Sequence, residues 1–340
     1  MFYFFVYFFG FILTAALTWG IKRLAWYYQI VDRPNALNLG RKIHEVPVPL
    51  LGGLAIFLAY FVLLFFWSDY FLAGNLQWFH LISFFIGALI IVIGGVLDDK
   101  YNLTAARQII FPILAGLVVI AGGVEIEKLT NPFGGFIYLN PILSAILIII
   151  WLLGMMYTTK LLDGVDGLVS GIGIIGAVVI FLFTITTRYY QPDIALAAIL
   201  LAGTVSGFLF FNWHPAKIFL GEGGSLLLGY ILGVLSIISG AKIAIALLIM
   251  GIPALDVAWT IVRRLMKGQN PFKFADRGHL HHRLLAAGLS QRQTALVFYG
   301  LTAIFGGSGL FLQSRGKFWI LILLLLVMLS LVIGLRSKKS

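Results

Sequence analysis

The sequence contains no cysteine, and only 11% of its 340 residues are charged. The first absence excludes disulfide bonds, thiolate metal sites and a cysteine nucleophile. The second excludes an ordinary soluble domain, in which about a quarter of the residues are charged. Hydrophobic residues make up 61% of the chain, and the mean hydropathy is +1.01. These figures predict a protein whose solvent is lipid.

Apolar segments suited to crossing a bilayer recur along the whole chain. A spanning helix needs about 20 mostly apolar residues, and we expect eleven spans between polar or Gly- and Pro-rich breaks. They centre on residues 2–21, 50–67, 80–97, 109–124, 142–158, 168–187, 194–211, 225–240, 243–262, 294–312 and 318–335. The first has no basic residue before it, so we interpret it as a retained helix and not a signal peptide. The predicted fold is an all-α, polytopic membrane protein.

The basic residues indicate which helix ends face the cytoplasm. Eleven spans divide the loops into two alternating sets, and one set holds nineteen of the 24 Lys and Arg residues. By the positive-inside rule, that set is cytoplasmic, so the N-terminus is outside and the C-terminus is inside. Membrane orientation also accounts for the net charge of +11. We therefore predict no binding of nucleic acid.

Nine of the 13 acidic residues fall on or near the predicted cytoplasmic loops, although the positive-inside rule does not sort acids. They are Asp98 and Asp99 at the end of the third span, Asp163 and Asp166 in KLLDGVDGLVSG, Glu222 in GEGGS, and Asp32, Glu45, Asp256 and Asp276. Carboxylates beside a bilayer are costly unless they are paired, solvated or bound to metal. These positions are therefore functional candidates.

Oxygen ligands in the absence of cysteine favour a hard cation. Mg²⁺ usually takes one or two carboxylates plus substrate phosphates, and Mn²⁺ accepts similar ligands. Glycines beside the acids would let the backbone approach a phosphate closely: Gly164, Gly167, Gly221, Gly223 and Gly224. We expect the eighth helix to begin directly after the glycines of GEGGS, with its free N–H groups facing an anion. Together these features predict a metal-diphosphate site.

Each motif alone has a simpler interpretation. A DD pair can be a solvated helix end, DGVDG a tight turn, and GEGGS a helix entry with small residues for packing. Their occurrence on one predicted membrane face favours a site. The loop between spans nine and ten adds His279, His281 and His282. Zn²⁺ binding is one interpretation of these histidines, and contact with phosphate or uridine is the favoured one.

Five segments carry recognisable motifs: RKIHEVPVPLLGG, GGVLDDKYNLTAARQ, LLDGVDGLVSG, FLFFNWHPAKIFLGEGGSLLLG and PFKFADRGHLHHRLLAAGLS. Together they resemble the polyprenyl-phosphate N-acetylhexosamine-1-phosphate transferase family, glycosyltransferase family 4, from about Arg33 to Gln293. HLHHRL and PVPLLGG are closer to the undecaprenyl-phosphate GlcNAc-1-phosphate transferases, which begin O-antigen, teichoic acid or related glycans. The muramoyl-pentapeptide branch is less similar.

The resemblance implies a Mg²⁺-dependent enzyme of the bacterial inner membrane with its active site facing the cytoplasm. Such an enzyme transfers N-acetylhexosamine-1-phosphate from a UDP-sugar, here UDP-GlcNAc, to undecaprenyl phosphate and releases UMP. Direct attack and a phospho-aspartate intermediate are both open, and a homodimer is compatible with the resemblance. One transmembrane catalytic domain would span residues 1–340, with active-site loops at 22–49, 98–108, 159–168, 212–225 and 263–293.

The resemblance also implies roles for individual residues. Asp98 would assist or deprotonate the lipid phosphate, while Asp99 and Asp166 would organise the metal and phosphates. Glu222 would bind the ion together with Asp98 and Asp99. The residues expected to contact the nucleotide-sugar are Lys160, Asp163, Asn212, His279, His281, His282 and Arg283, and those expected to contact the lipid phosphate are Lys42 and Arg107.

Two residues depart from the family pattern. Lys160 stands where most relatives have Asn, and Glu222 stands where they have Asp. Glutamate keeps the charge but adds one methylene, whereas Mg²⁺ prefers near-ideal octahedral geometry. A weaker site and a different ion are both open. Two interpretations are open for Lys160: it contacts a phosphate, or it alters nucleotide recognition.

Other functions stay as alternatives. The nearest is phospho-N-acetylmuramoyl-pentapeptide transfer, within the same enzyme class. A transporter also carries charge within the membrane, but here the acids collect on one face and no repeat relates two halves of the chain. A non-catalytic protein that binds the lipid carrier is suggested by Glu222, since this residue departs from the family's metal ligand.

Tags at Met1 and Ser340 should lie on opposite sides of the membrane, because an odd number of spans separates them. External protease applied to right-side-out cells should remove the tag at Met1 and leave the tag at Ser340, as followed by immunoblotting. Protection of both tags, or loss of both, would contradict the eleven-span topology.

Overall fold

The structure is a helical bundle, and its computed structural model describes residues 1–34, 46–186, 190–239, 243–266, 268 and 279–337. The helices are α1 (Phe2–Tyr27), α2 (Gly52–Phe66), α3 (Ser68–Phe71), α4 (Trp78–Tyr101), α5 (Ala105–Gln108), α6 (Ile110–Ala121), α7 (Pro141–Leu162), α8 (Leu168–Thr184), α9 (Pro192–Asn212), α10 (Gly221–Ile238), α11 (Ile243–Met266), α12 (Leu280–Ala286), α13 (Gln291–Phe311) and α14 (Ser314–Ser337). Two short antiparallel ribbons join β1 (Val31–Asp32) to β2 (Val48–Pro49) and β3 (Lys128–Thr130) to β4 (Phe136–Tyr138). The ribbons lie in loops, and the described segments that are predicted to span the membrane are helical.

Eight of the helices in the described residues are long and apolar enough to cross a membrane: α1, α4, α7, α9, α10, α11, α13 and α14. Three shorter apolar helical segments, Gly52–Phe66, Ala105–Ala121 and Leu168–Thr184, lie at the other three predicted spans. The prediction of a polytopic helical membrane protein is therefore confirmed. The count of eleven and the orientation of the termini stay predictions.

Several helices continue beyond the apolar segments that predicted them. Helix α1 runs to Tyr27, so Lys22 and Arg23 lie within the helix and not in the loop expected at 22–49. Likewise α4 runs to Tyr101 and carries Asp98 and Asp99 near its end. The reason is that the bilayer limits the length of the apolar surface, whereas backbone hydrogen bonding sustains a helix beyond it. The predicted active-site loops are correspondingly shorter.

The entry into α2 is tied to the loop that precedes α10. Phe219 donates its N–H to the carbonyl of Pro49 at 2.9 Å, and it accepts from the N–H of Gly52 at 3.0 Å. Between them Leu51 adopts a φ of 78°, a left-handed conformation that is unfavourable for a residue with a side chain. This hydrogen-bonded junction places the start of α2 beside the start of α10.

Helix α10 is the centre of the bundle, and nearly all of its residues are buried. It packs against α2, α4 and α7. A methyl group on Gly95 would collide with the backbone of Gly223, and one on Gly53 would collide with Gly224. In lipid the hydrophobic effect does not drive helices together, so close packing between small residues contributes much of their association.

The start of α10 corrects one prediction. The helix begins at Gly221, so GEGGS forms its first turn and does not precede it. Gly223 and Gly224 make close contacts with α4 and α2, which accounts for their lack of side chains. Approach of a phosphate to these two glycines stays a prediction.

The remaining helices surround this centre. Helix α9 packs against α1, α2 and α8, with Gly203 and Gly207 close to the backbone of Tyr7 and Phe11 on α1. Helix α11 packs against α13 and α14, and α13 also packs against α8. The bundle is thereby continuous from α1 to α14.

We expect Gly95→Ala to destabilise the protein, because the added methyl group must separate α4 from α10. Overpacking of this kind costs about 1–3 kcal/mol, and it should lower the midpoint of thermal unfolding in detergent. The matched control is Gly154→Ala on α7, where the added Cβ meets nothing within 4 Å beyond its own helix. That variant should keep or raise the midpoint, because Ala favours helix over Gly by about 1 kcal/mol. Equal destabilisation by both changes would contradict this packing.

Candidate active site

One end of the bundle gathers acidic side chains from three elements. We call them the carboxylate cluster: Asp98 and Asp99 on α4, Asp163 and Asp166 between α7 and α8, and Glu222 on α10. The crossing of α4 and α10 brings the first and last of these elements together. The contacts described below connect all three elements of this cluster.

Asp99 is joined to the start of α10. Its Oδ1 accepts the backbone N–H of Glu222 at 3.0 Å, which satisfies one of the unpaired donors in the first turn of this helix. Gly221 precedes it with a φ of 73°, and a methyl group there would collide with Asp99 Oδ2. Glycine is therefore needed at this position for both its backbone conformation and its size.

Asp98 is held by hydrogen bonds from two donors. Its Oδ1 accepts from the N–H of Leu103 at 2.7 Å and from Gln108 Nε2 at 2.9 Å. A small open pocket adjoins Asp98, Gln108 and Glu222, and its other walls include the apolar side chains of Ile91 and Phe111. The pocket thus has polar groups and an apolar wall side by side.

Lys160 crosses the cluster from the end of α7. Its ammonium donates to Gln108 Oε1 at 2.8 Å and forms an ion pair with Glu222 Oε1. The two charged side chains are only 18% and 16% exposed. Since Gln108 also donates to Asp98, a continuous series of contacts runs from Asp98 through Gln108 and Lys160 to Glu222.

Asp163 follows directly after α7. Desolvation by the surrounding protein, followed by the charges of Glu222 and Asp166, raises the pKa of Asp163 to about 7. The side chain is nevertheless exposed to solvent, so water screens part of this effect. Part of this upward shift comes from the negative charges of Glu222 and Asp166, and a cation bound nearby would oppose that part.

Asp166 is fixed by the loop between α9 and α10. Its Oδ2 lies 2.7 Å from His214 Nδ1 and accepts the N–H of Ala216 at 3.1 Å. Arg292 supports this loop from α13, donating from Nε and Nη2 to the carbonyl of His214 at 3.0 and 2.7 Å. Asp166 is therefore oriented by three separate parts of the chain.

Asn212 lies one layer deeper and is buried. Its Oδ1 accepts from the N–H of Gly167 at 3.2 Å and from Ser170 Oγ at 2.9 Å, while its Nδ2 donates to the carbonyl of Ile218 at 3.0 Å. Both ends of the amide are thus engaged within the protein. This arrangement favours a positioning role, and the predicted contact with the nucleotide-sugar stays a prediction.

The histidines form a row beside Asp163 and Asp166. His279 Nδ1 lies 2.8 Å from Asp256 Oδ2, and the other carboxylate oxygen accepts the N–H of Leu280 at 2.8 Å. The ring of His281 is parallel to that of His279, with centroids 5.7 Å apart, and the ring of His282 lies 4.2 Å beyond. A methyl group on Gly164 would touch His281 Nε2. The row is therefore packed onto the DGVDG loop.

The row offers little support for zinc. Burial, together with the neighbouring His282 and His279, holds the pKa of His281 well below its usual range, so this ring is neutral near pH 7. Neutral imidazole suits a metal, but in the described part of the chain no three His, Asp or Glu side chains are grouped to hold an ion by themselves.

The other predicted contact residues are more scattered. Arg107 is exposed on α5 next to Gln108, and Arg283 lies on α12. Lys42 lies outside the described residues, as do residues 35–45 of the first predicted loop and residues 269–278 of the last. Contact of these basic residues with lipid phosphate or nucleotide stays a prediction.

Three functional candidates escaped the sequence analysis: Gln108, His214 and Arg292. Carboxylates and the HLHH motif were the features that pointed to a site, whereas these side chains act through hydrogen bonds or by supporting a backbone carbonyl. The available signal was position, because Gln108 ends NLTAARQ and His214 lies in NWHPAK. Both segments lie within motifs that carry the family resemblance.

Comparisons with known proteins agree with this site. The family model for glycosyl transferase family 4 matches residues 81–240. A probable undecaprenyl-phosphate N-acetylglucosaminyl 1-phosphate transferase of Bacillus subtilis (strain 168) is 32% identical over 331 residues, covering 94% of this chain and 88% of that protein. A decaprenyl-phosphate N-acetylglucosaminephosphotransferase of Mycobacterium tuberculosis (strain ATCC 25618 / H37Rv) is 32% identical, covering 89% and 81%.

A relative with lower sequence identity is similar over a comparable share of its length. The undecaprenyl-phosphate alpha-N-acetylglucosaminyl 1-phosphate transferase of Thermotoga maritima is 29% identical, covering 88% of this chain and 87% of that protein. The similarity therefore spans most of each chain and includes the carboxylate cluster. The resemblance read from the motifs is confirmed, and the protein belongs to glycosyl transferase family 4.

Proposed function

We propose that this protein transfers N-acetylhexosamine-1-phosphate from a UDP-sugar, with UDP-GlcNAc as the preferred donor, to undecaprenyl phosphate and releases UMP. The observation that carries the proposal is the carboxylate cluster, placed at one end of an apolar helix bundle and bordered by Lys160 and the histidine row. The names of the relatives support the same reaction. The distribution of Lys and Arg supports a cytoplasmic active site in the bacterial inner membrane.

The reaction exchanges one phosphoanhydride for another. An oxygen of the lipid phosphate bonds to the phosphorus that carries the sugar, while the bond from that phosphorus to the bridging oxygen of UMP breaks. Charge neutralisation and in-line positioning matter more for such a transfer than covalent help. Asp98 is suited to accept a proton from the lipid phosphate or to orient it, because Leu103 and Gln108 fix its carboxylate beside the pocket.

Mg²⁺ or Mn²⁺ fits the oxygen donors of the carboxylate cluster. Glu222 would hold the ion together with Asp98 and Asp99, and the ammonium of Lys160 at Glu222 supports a cation position there. Within the described residues, no three His, Asp or Glu side chains are grouped closely enough to hold an ion by themselves. One or two of these three carboxylates would therefore bind the ion directly, and substrate phosphates would complete its shell. When bound, the ion would neutralise the diphosphate charge.

The histidine row and the DGVDG loop form the second half of the proposed site. Asp256 holds His279 and thereby orients the row, whose imidazole groups are suited to donate to phosphate or uridine. Asp163 and Asp166 lie between this row and the rest of the carboxylate cluster. A nucleotide-sugar bound there would have its diphosphate near the proposed ion.

The test is release of UMP by the purified full-length protein with undecaprenyl phosphate and Mg²⁺. UDP-GlcNAc should be the best donor in a panel that includes UDP-GalNAc and UDP-N-acetylmuramoyl-pentapeptide. Faster reaction with the pentapeptide donor would favour the muramoyl branch. Release from no donor would contradict the enzyme proposal and favour a binding protein or a transporter.

Asp98→Asn should lower the rate of UMP release by about 100-fold or more, since the amide keeps the shape but neither carries charge nor takes up a proton. The matched control is Asp69→Asn on α3, which is exposed and follows the far end of α2. The control should react at the wild-type rate, and both variants should unfold near the wild-type temperature. Normal turnover by folded Asp98→Asn would remove Asp98 from the catalytic residues.

Glu222→Gln should abolish transfer, because it removes a ligand charge at constant size. Glu222→Asp should retain activity or exceed wild type at low Mg²⁺, since a shorter carboxylate reaches less far toward Lys160 and leaves the ion a more compact site. The ratio of the activity with Mn²⁺ to the activity with Mg²⁺ should be at least as high for the native protein as for Glu222→Asp. UMP release measured against metal concentration checks all three proteins. The same metal dependence for Glu222→Gln and wild type would show that Glu222 is not a ligand.

A further inference from the structure

The two residues that depart from the family pattern are in direct contact. Lys160 ends α7 and Glu222 begins α10, and their side chains form an ion pair. Nothing in the sequence links the two positions. The contact indicates that the lysine and the longer carboxylate act as a pair in this chain.

The ammonium of Lys160 is held at a defined position. An ammonium carries three donors, and here one reaches Glu222 Oε1 while another reaches Gln108 Oε1 at 2.8 Å. Gln108 is itself fixed by donating to Asp98 and to the carbonyl of Leu103. Both charged side chains are largely shielded from water, so their attraction is screened less than that of a surface ion pair.

We propose that Lys160 is a tethered counter-cation that competes with a divalent cation for Glu222 and so sets the metal affinity of the site. The inference rests on the proposed function for the choice of Glu222 as a ligand. An ion that binds Glu222 shares its carboxylate with the ammonium, and the two cations repel each other at this distance, so each weakens the binding of the other. The ammonium keeps its charge and its flexible stem, so it is available to a substrate phosphate that arrives with the ion.

The charges around Glu222 determine the direction of the effect. Without the ammonium, Glu222 is an uncompensated carboxylate with Asp98 and Asp99 close by. A divalent cation then meets a stronger negative potential and no competitor. Loss of the Lys160 charge should therefore tighten metal binding, whereas a lysine that merely supported the fold would weaken it when removed.

The experiment measures binding of Mn²⁺ alone to the detergent-purified full chain, using the electron paramagnetic resonance signal of free Mn²⁺. Lys160→Met should lower the dissociation constant by about tenfold, the scale of one charged hydrogen bond. Lys160→Gln repeats the test with a polar side chain. Lys160→Arg, which keeps the charge, should bind Mn²⁺ within about threefold of wild type.

Two further variants separate direct competition from a general change in charge. Lys100→Met removes the same charge from an exposed position in the last turn of α4 and should change the dissociation constant by less than about twofold. In a Glu222→Gln background, Lys160→Met should no longer tighten binding, because the shared side chain has lost its charge. Thermal unfolding shows which variants are folded.

Several results would overturn the proposal. The first is an unchanged or weaker affinity for Mn²⁺ in folded Lys160→Met and Lys160→Gln. The second is that Lys100→Met tightens Mn²⁺ binding as much as Lys160→Met does, and the third is that Lys160→Met still tightens it in the Glu222→Gln background. The fourth is absence of Mn²⁺ binding in every protein. Failure of the proposed function is a separate outcome. Coupled Mn²⁺ binding without UMP release would contradict the transferase alone, whereas transfer without the coupling would contradict the competition alone.

Discussion

The close crossing of α4 and α10 at Gly95 and Gly223 is the constraint on which the candidate site depends. It allows the backbone of Glu222 to reach Asp99, so one hydrogen bond joins two helices that are distant in sequence. A larger residue at either glycine would separate the helices and displace these two carboxylates from each other. Packing in the apolar part of the bundle thus sets distances at its polar end.

The second constraint is electrostatic. Five carboxylates at one end of a helix bundle repel one another, and the chain offsets that repulsion with backbone N–H groups, the imidazole of His214 and the ammonium of Lys160. The raised pKa of Asp163 reflects desolvation first, and then the remaining repulsion from Glu222 and Asp166. Such an arrangement is suited to a bound cation, which the proposed transfer between phosphates would require.

The position of the carboxylate cluster also bears on whether the protein is a transporter or an enzyme. A transporter is expected to place charged groups near the middle of the membrane, between two halves that move against each other. In this protein the carboxylate cluster occupies helix ends, and α10 packs tightly against α2, α4 and α7 in the bundle centre. A tightly packed centre with carboxylates at one end of the bundle suits the membrane enzyme that we propose.

The sequence by itself determined that the protein is a helical membrane protein, because apolar length is set by bilayer thickness and is visible in one dimension. It also determined the acidic motifs and the family, since those depend on residues close together in the chain. Only the tertiary structure decided that Gln108 bridges Asp98 and Lys160, that Asp256 holds His279, and that Lys160 pairs with Glu222. These contacts join residues far apart in sequence, and they depend on which helices cross and how closely, which no local pattern encodes.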